Sequence, residues 1–325
     1  MKNKISKLLK RQVTLHENFG DASFSSDSRV NQIQTKKAFS EKWSNSQSNQ
    51  LTEDLNFIND QRKWFLEHYG FSNLNEFQSF FDDKIILDAG CGIGFKAAWI
   101  ADMAPNSIIV GMDISESINI AAEKYKNIDN LFFIKGDILK TPFKNESFDI
   151  VVCDQVIMHT EKPEKTFEHL ASLIKNSGFF LCYVYAKKAL VRELIDDYFR
   201  KKVHNISSSE LWELSSQLSE LGKNLSELKV KIDVPEIPLL NIKRGEYDLQ
   251  RFIYWNFIKC FYNENWKKEA NNLVNYDWYS PSNATRYSEQ DFKKIVEKNN
   301  FIIDFFHKEE ACFSGRFIKK KVKEK

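Results

Sequence analysis

The sequence predicts an α/β protein built on a doubly wound, mostly parallel sheet of seven strands. Three observations predict it: short apolar runs alternate with helical patterns through the middle of the chain, a glycine-rich turn follows the first run, and the alternation returns near the C-terminus. Strands that alternate with helices imply parallel pairing through right-handed crossovers. The runs are continuously apolar, as expected of strands covered on both faces.

Ile85-Ile86-Leu87 is the first strand and ends at Asp88 and a glycine cluster, and a helical pattern follows over 95–103. Ile108-Ile109-Val110-Gly111-Met112-Asp113 is the second strand, and 115–125 reads as a helix with Ser115 as its N-cap. The third strand, 131–134, ends near Asp137, and the fourth covers 148–153. Pro163 opens a helix over 163–174. Asn176-Ser177-Gly178 then reads as a turn into a fifth strand at 179–185. From Lys187 the alternation stops, and 187–202, 208–228 and 246–275 read as helices, with Pro235 and Pro238 breaking the stretch between. A helix at 288–299, capped by Ser288, and strands at 301–307 and 311–319 complete the seven. Upstream, 16–50 reads as loop or loose helix. An amphipathic helix follows over 51–69, with Leu51, Leu55, Ile58, Trp64 and Phe65 at near-helical spacing. The organisation is therefore an N-terminal helical segment at 1–80, a Rossmann-like core at 81–186, a helical insertion at 187–280 and a C-terminal helix with the last two strands at 281–325. The first and third segments are expected to form a lid that shapes an acceptor site.

With 42% apolar residues among 325, the chain can fill a sizeable core. Its 47 basic and 45 acidic residues give a net charge of +2, which supplies no field for nucleic acid. The basic run 319–325 reads as a solvated tail. The cysteines at 91, 153, 182, 260 and 312 form no C-x-x-C pair, so their spacing suits neither a zinc site nor a disulfide framework. No metal is expected, and a reducing cytoplasm is the simplest home. No run approaches the roughly 18–20 apolar residues that span a membrane, and MKNKISKLLKRQ lacks the apolar centre of a secretion signal.

The central signal is Leu87-Asp88-Ala89-Gly90-Cys91-Gly92-Ile93-Gly94, a strand running into a turn from which a helix leaves. Glycines let the backbone bend tightly and approach a ligand, and the helix start offers N–H groups to it. The dinucleotide fingerprint is G-x-G-x-x-G, whereas here the spacing is G-x-G-x-G, with Phe95 where the third fingerprint glycine would fall. A cofactor without phosphates is favoured, its amino-acid end and ribose lying along the turn. Asp113 ends the second strand, where a carboxylate can accept both ribose hydroxyls. Asp137 can accept an adenine amino group with Ile138 against the ring, and Asp154 and Gln155 close the site after the fourth strand. All lie at the carboxyl ends of strands, where open α/β sheets bind ligands.

The segment from Ile85 to Tyr185 resembles the class I S-adenosyl-L-methionine (SAM)-dependent methyltransferases, in particular the group acting on small molecules. The matching strings are LDAGCGIG, GMDIS, GDI, FDIVVCDQVIMHT and EKTFEHLASLIKNSGFF. The resemblance implies SAM as cofactor. It places Asp88, Gly90 and Gly92 at the methionine end, Asp113 at the ribose and Asp137 with Ile138 at the adenine; Cys91, Gly94 and Ile114 beside them, with Asp154 and Gln155, are further candidates for cofactor binding. Members of the group often carry two consecutive histidines after the fourth strand, whereas this chain has Met158-His159. Two further blocks, Asp277-Trp278-Tyr279-Ser280-Pro281 and Phe39-Ser40-Glu41-Lys42-Trp43, are similar to elements of the same group.

Methyl transfer from a sulfonium is an in-line displacement, so alignment matters most and can supply roughly 7–11 kcal/mol. A hydroxyl or amine acceptor also needs a base, which adds about 10²- to 10⁴-fold. His159 is the candidate base. Tyr183, Tyr185, Tyr279 and Arg286 are candidates for binding the acceptor, with Arg286 suited to a carboxylate. The expected function is methylation, at oxygen, of a small molecule, with no nucleic-acid or membrane partner. Two other readings stand beside it: a non-catalytic SAM-binding module that docks through its helical insertion, and a nicotinamide-dependent oxidoreductase.

Overall fold

The computed structural model describes residues 1–22, 30–44, 55–203 and 205–321. It divides into two compact units, one comprising Met1–Trp43, Gln61–Ala186 and Thr285–Lys325, the other Ser44–Asp60 and Lys187–Ala284. Leu51 and residues 322–325 of the basic run fall outside the described residues.

The first unit is built on strands β3 (Ile85–Ala89), β4 (Ile108–Asp113), β5 (Leu131–Lys135), β6 (Phe148–Cys153), β7 (Ile174–Ala186), β11 (Phe301–Lys308) and β12 (Cys312–Lys319). These are the seven expected strands. Three short ones join them, β1 (Thr14–Leu15), β2 (Phe19–Asp21) and β10 (Arg286–Tyr287), giving a ten-stranded sheet in the order β1-β2-β5-β4-β3-β6-β7-β12-β11 with β10 beside β7. The extra strands are two or three residues long, too short for a periodic signal. β2 to β7 pair in parallel, and β12 runs antiparallel to both β7 and β11.

Alternate residues of the central strands enter two apolar layers. Leu87, Val110 and Val151 face one layer; Ile86, Ile109, Ile150 and Val152 face the other. The second layer is closed by α3 (Leu55–Tyr69), α4 (Leu74–Phe81) and α5 (Phe95–Met103), where Phe77 stacks on Trp99 with ring centres 4.2 Å apart. Full burial of one such side chain stabilises by about 1.5–3 kcal/mol. The remaining helices here are α1 (Lys2–Leu8), α2 (Val30–Ser44), α6 (Ser117–Lys124), α7 (Pro163–Ser172) and α12 (Glu289–Lys298), and Ser288 caps α12 as expected.

Three local expectations shift. Asn176-Ser177-Gly178 does not end a turn before the strand; it is a bulge inside β7, with Ser177 at φ +62°. Ser115 does not cap a helix, because its backbone N–H and hydroxyl both donate to the Asp113 carboxylate, and α6 starts at Ser117. Lys319 is not a solvated tail residue: it ends β12, and its ammonium donates to the carbonyls of Ala171 and Ile174.

The second unit holds α8 (Leu190–Val203), α9 (Ser208–Glu227), the hairpin β8 (Lys231–Val234)–β9 (Gly245–Asp248), α10 (Leu249–Asn256) and α11 (Lys268–Tyr279). Helix α9 opens on a full capping box between Ser207 and Glu210. The continuous helix expected over 246–275 is broken in the middle. Side-chain amides take the place of the missing helical bonds: Asn275 pairs with both backbone groups of Phe261, and Asn271 with both of Asn263. Among the described residues, no helix is long and apolar enough to cross a membrane.

Candidate active site

In parallel register, Asp88 lies opposite Gly111 on β4 and Val152 on β6, so Asp113 and Asp154 project two residues beyond it at one rim of the sheet. The turn leaving β3 is held by Met112, whose carbonyl accepts the N–H of Gly90 at 2.7 Å and of Cys91 at 3.1 Å. Gly90 has φ +89°, and a Cβ there would stand 2.3 Å from Val156 Cγ1, so only glycine fits. Gly92 and Gly94 also have positive φ, and the open side of Gly92 faces the indole of Trp43.

The acids differ in what they bind. Asp113 is half-buried and accepts the Gly92 N–H at Oδ2 and the two Ser115 bonds at Oδ1. The Ser115 hydroxyl also lies 2.5 Å from that of Ser117 and can turn to it, leaving Oδ1 open to another donor. Asp154 is buried; Lys96 donates to Oδ2 and the Tyr69 hydroxyl to Oδ1. Burial pushes the Asp154 carboxyl up, but the Lys96 charge and these hydrogen bonds outweigh it and hold the group below the ordinary range. Asp137 accepts the Leu139 N–H and is raised mainly by burial, and Ile138 beside it is buried. Asp88 is 4% exposed, and its Oδ2 is buried with no hydrogen-bond partner among the described residues. Burial first, then the charges of Asp154 and Asp113, raise it to about 7 against the pull of Lys96.

Of the other expected cofactor residues, Cys91 and Ile114 are half-buried at the same rim. Gln155 is exposed, on a left-handed turn with φ +62°. His159 is buried in a short 3₁₀ turn, Ile157–His159, edge-on to Phe39 at 5.3 Å and to Tyr185 at 5.4 Å. Tyr183 packs 6.1 Å from Tyr185, and Arg286 pairs with Tyr185 across β10 and β7. The structure thus brings His159, Tyr183, Tyr185 and Arg286 to one end of β7. Tyr279 belongs to the second unit, where its hydroxyl donates to Asp196. Burial first, and then that carboxylate, push the phenol up.

Three features of the rim carry no sequence signal: Lys96 in the first turn of α5, Tyr69 at the end of α3, and the way α2 lies along the rim. Helix α2 brings Phe39 to His159, Trp43 to Gly92, the Ser40 hydroxyl to the Glu116 N–H and the Gln32 side-chain Oε1 to the Glu161 N–H.

An unsatisfied, buried carboxylate oxygen costs about 1–3 kcal/mol or more. Beside a side-chain-free turn, it calls for a ligand with a cationic amine. The residues therefore fit SAM, whose methionine end carries an ammonium that Asp88 can accept. The strand order from β5 to β11, this turn and the rim of acids match the class I SAM-dependent methyltransferase fold.

Residues 80–276 match the family described as "Methyltransferase domain". The chain belongs to that family, and its cofactor is SAM. One relative is a sterol 24-C-methyltransferase from Debaryomyces hansenii, 35% identical over 102 residues, covering 30% of this chain and 27% of the relative. Another is a ubiquinone biosynthesis O-methyltransferase from Coxiella burnetii, 27% identical over 198 residues, covering 56% of this chain and 78% of the relative. The chain thus spans about a quarter of the sterol enzyme's length. A magnesium protoporphyrin IX methyltransferase from Synechocystis, solved with bound SAM, has 13% identity and a TM-score of 0.46, covering 91% of this chain and all of that one.

Proposed function

We propose that this chain transfers the SAM methyl group to an oxygen of a small-molecule acceptor. The observation that carries the reading is the unpartnered Asp88 oxygen beside the glycine turn. The O-methyltransferase relative, which spans more of the chain than the sterol enzyme does, supports oxygen over carbon. The near-neutral charge disfavours a polyanionic acceptor.

When bound, SAM supplies a methyl group already activated on sulfur. Asp88 would hold its ammonium, Asp113 the ribose hydroxyls with Ser115 turned to Ser117, and Asp137 with Ile138 the adenine. Cys91 and Gly94 shape the turn, while Ile114 and Gln155 flank the ribose and the rim. Lys96 and Tyr69 keep Asp154 ionised and fixed. Phe39 and Trp43 of α2 keep water from the rim. His159 Nδ1 or Nε2 would accept the proton of the acceptor hydroxyl, and Tyr183, Tyr185 and Arg286 would orient the acceptor.

Two experiments test this. Asp113→Ala is expected to weaken binding of demethylated SAM at least tenfold by calorimetry, and an unchanged dissociation constant would remove the ribose assignment. Methyl-labelled SAM, incubated with the protein and a metabolite extract, is expected to mark a small-molecule fraction. The label should then be released as methyl iodide by hot hydriodic acid, as methyl ethers are. Label held through that treatment means a carbon or nitrogen acceptor, and label in protein or RNA alone rules out a small one.

A further inference from the structure

At the tip of the β11–β12 hairpin, four side chains with metal-ligating atoms meet. His68 comes from the end of α3, His307 from β11, Glu309 from the connection and Cys312 from the start of β12, and their ligating atoms all lie within 4.8 Å of one another. Glu309 Oε1 is 3.6 Å from His68 Nε2 and accepts from the Cys312 thiol at 3.4 Å, while Oε2 is 3.7 Å from His307 Nε2. The two imidazoles stand 4.7 Å apart at a 45° tilt, and Cys312 is fully buried.

A hydrogen-bonded cluster would close its N–H···O contacts to about 2.7–3.2 Å. Here both histidines stand off from the carboxylate, and His307 Nε2 is buried with no hydrogen bond among the described residues. The spacing has another explanation. Zinc bonds of about 2.0–2.3 Å in a tetrahedron set neighbouring ligand atoms about 3.3–3.7 Å apart. The two separations that share one carboxylate atom, Glu309 Oε1 to His68 Nε2 and to Cys312 Sγ, fall in that range, and His307 Nε2 lies 3.7 Å from the other oxygen.

We propose that His68, His307, Glu309 and Cys312 bind one divalent transition-metal ion of the zinc class. Two imidazoles and a thiolate select such an ion over magnesium or calcium, which prefer oxygen ligands throughout. Binding takes the Cys312 thiol proton, which leaves to solvent past the partly exposed Glu309. The ion would clip the end of α3 to the hairpin. That end also carries Tyr69, the hydrogen-bond partner of Asp154, so the clip steadies one wall of the cofactor rim. The cysteine spacing hides this site because the ligands other than Cys312 are two histidines and a glutamate, one of them far away in sequence.

The test uses the full chain, stripped with a chelator and titrated with cobalt(II) as a probe. One cobalt per chain is expected, with the visible bands of a tetrahedral ion and a near-ultraviolet thiolate-to-cobalt band, both displaced by one equivalent of zinc. Zinc should raise the melting temperature above that of chelated protein. Cys312→Ser should abolish the thiolate band, and the partly exposed Glu309→Gln should weaken the metal at least tenfold. No stoichiometric binding, an octahedral spectrum, or a thiolate band that survives Cys312→Ser would overturn the site. Should Cys312→Ser fail to fold, unchanged affinity in Glu309→Gln overturns it as well.

Discussion

At the carboxyl rim of the sheet, Lys96 serves both Asp88 and Asp154, and one Asp88 oxygen has no partner among the described residues. In the helical unit the sign is reversed and the buried centre is rich in cations. There Arg192 donates to Asp196 and to the Tyr254 carbonyl, Tyr279 adds a second bond to Asp196, and Lys259 donates to the Tyr254 hydroxyl. Both centres bury charge, but the second supplies its own counter-groups and the first does not. A charge centre completed from within serves the fold. One that lacks a cation is completed by a ligand, and the rim lacks the cation that the methionine end of SAM carries.

The largest effect should come from breaking the completed centre. Arg192 and Asp196 are both essentially inaccessible to solvent, side chain to side chain at 2.8 Å. Arg192→Met leaves Asp196 buried with only the Tyr279 hydroxyl, and removing one partner of such a pair costs about 3–5 kcal/mol. Chemical denaturation followed by tryptophan fluorescence is expected to show that loss. A cost below about 1 kcal/mol would mean that water reaches the pair and that the centre is not closed.

The difference between the units also explains what the sequence disclosed. The cofactor turn was legible because its chemistry is local: strand, glycines and helix start lie within ten residues, and the acids follow at strand ends. The seven long strands were legible for the same reason, since each is a short segment dominated by apolar residues. The break in the helix expected over 246–275 was not legible. It depends on Asn271 and Asn275 reaching back across 8 and 14 residues to a loop backbone, which periodicity cannot register. Lys96, Tyr69 and the β11–β12 cluster escaped because their partners meet only in three dimensions. Tyr279, read as an acceptor contact from its motif, is bonded to Asp196 within its own unit.

A smaller effect, and the one that separates the two centres most sharply, concerns Asp88. Asp88→Asn should weaken binding of demethylated SAM about tenfold, or about 1.4 kcal/mol, while leaving the ligand-free protein as stable as before or more so. In the wild-type protein the carboxyl is raised from 3.8 to about 7 on folding. The folded state therefore holds the proton more tightly, and ligand-free stability falls as pH climbs between those values. The ammonium favours the ionised form, so affinity should rise with pH up to about 7 and level off above it. Calorimetry across that window checks both signs, and Asp88→Asn should flatten the curve. A variant that loses stability and affinity together would make Asp88 a structural acid.

The smallest effect is expected at Lys259, which burial, with help from Arg192, lowers from 10.5 to about 7. Below about 7 both folded and unfolded chains carry the ammonium, and the folded one bears its full burial cost. Between about 7 and 10.5 the unfolded chain holds the proton and the folded chain does not, so stability rises with pH. Lys259→Met removes the buried cation but also the hydrogen bond to the Tyr254 hydroxyl, worth about 1 kcal/mol. The two partly offset, and a net gain of about 1 kcal/mol is expected near neutral pH, shrinking as the solution becomes alkaline. Melting temperatures of the variant and the wild type at about pH 7 and about pH 10 measure it. A clear loss at neutral pH would show that the ammonium is itself a required partner in the centre.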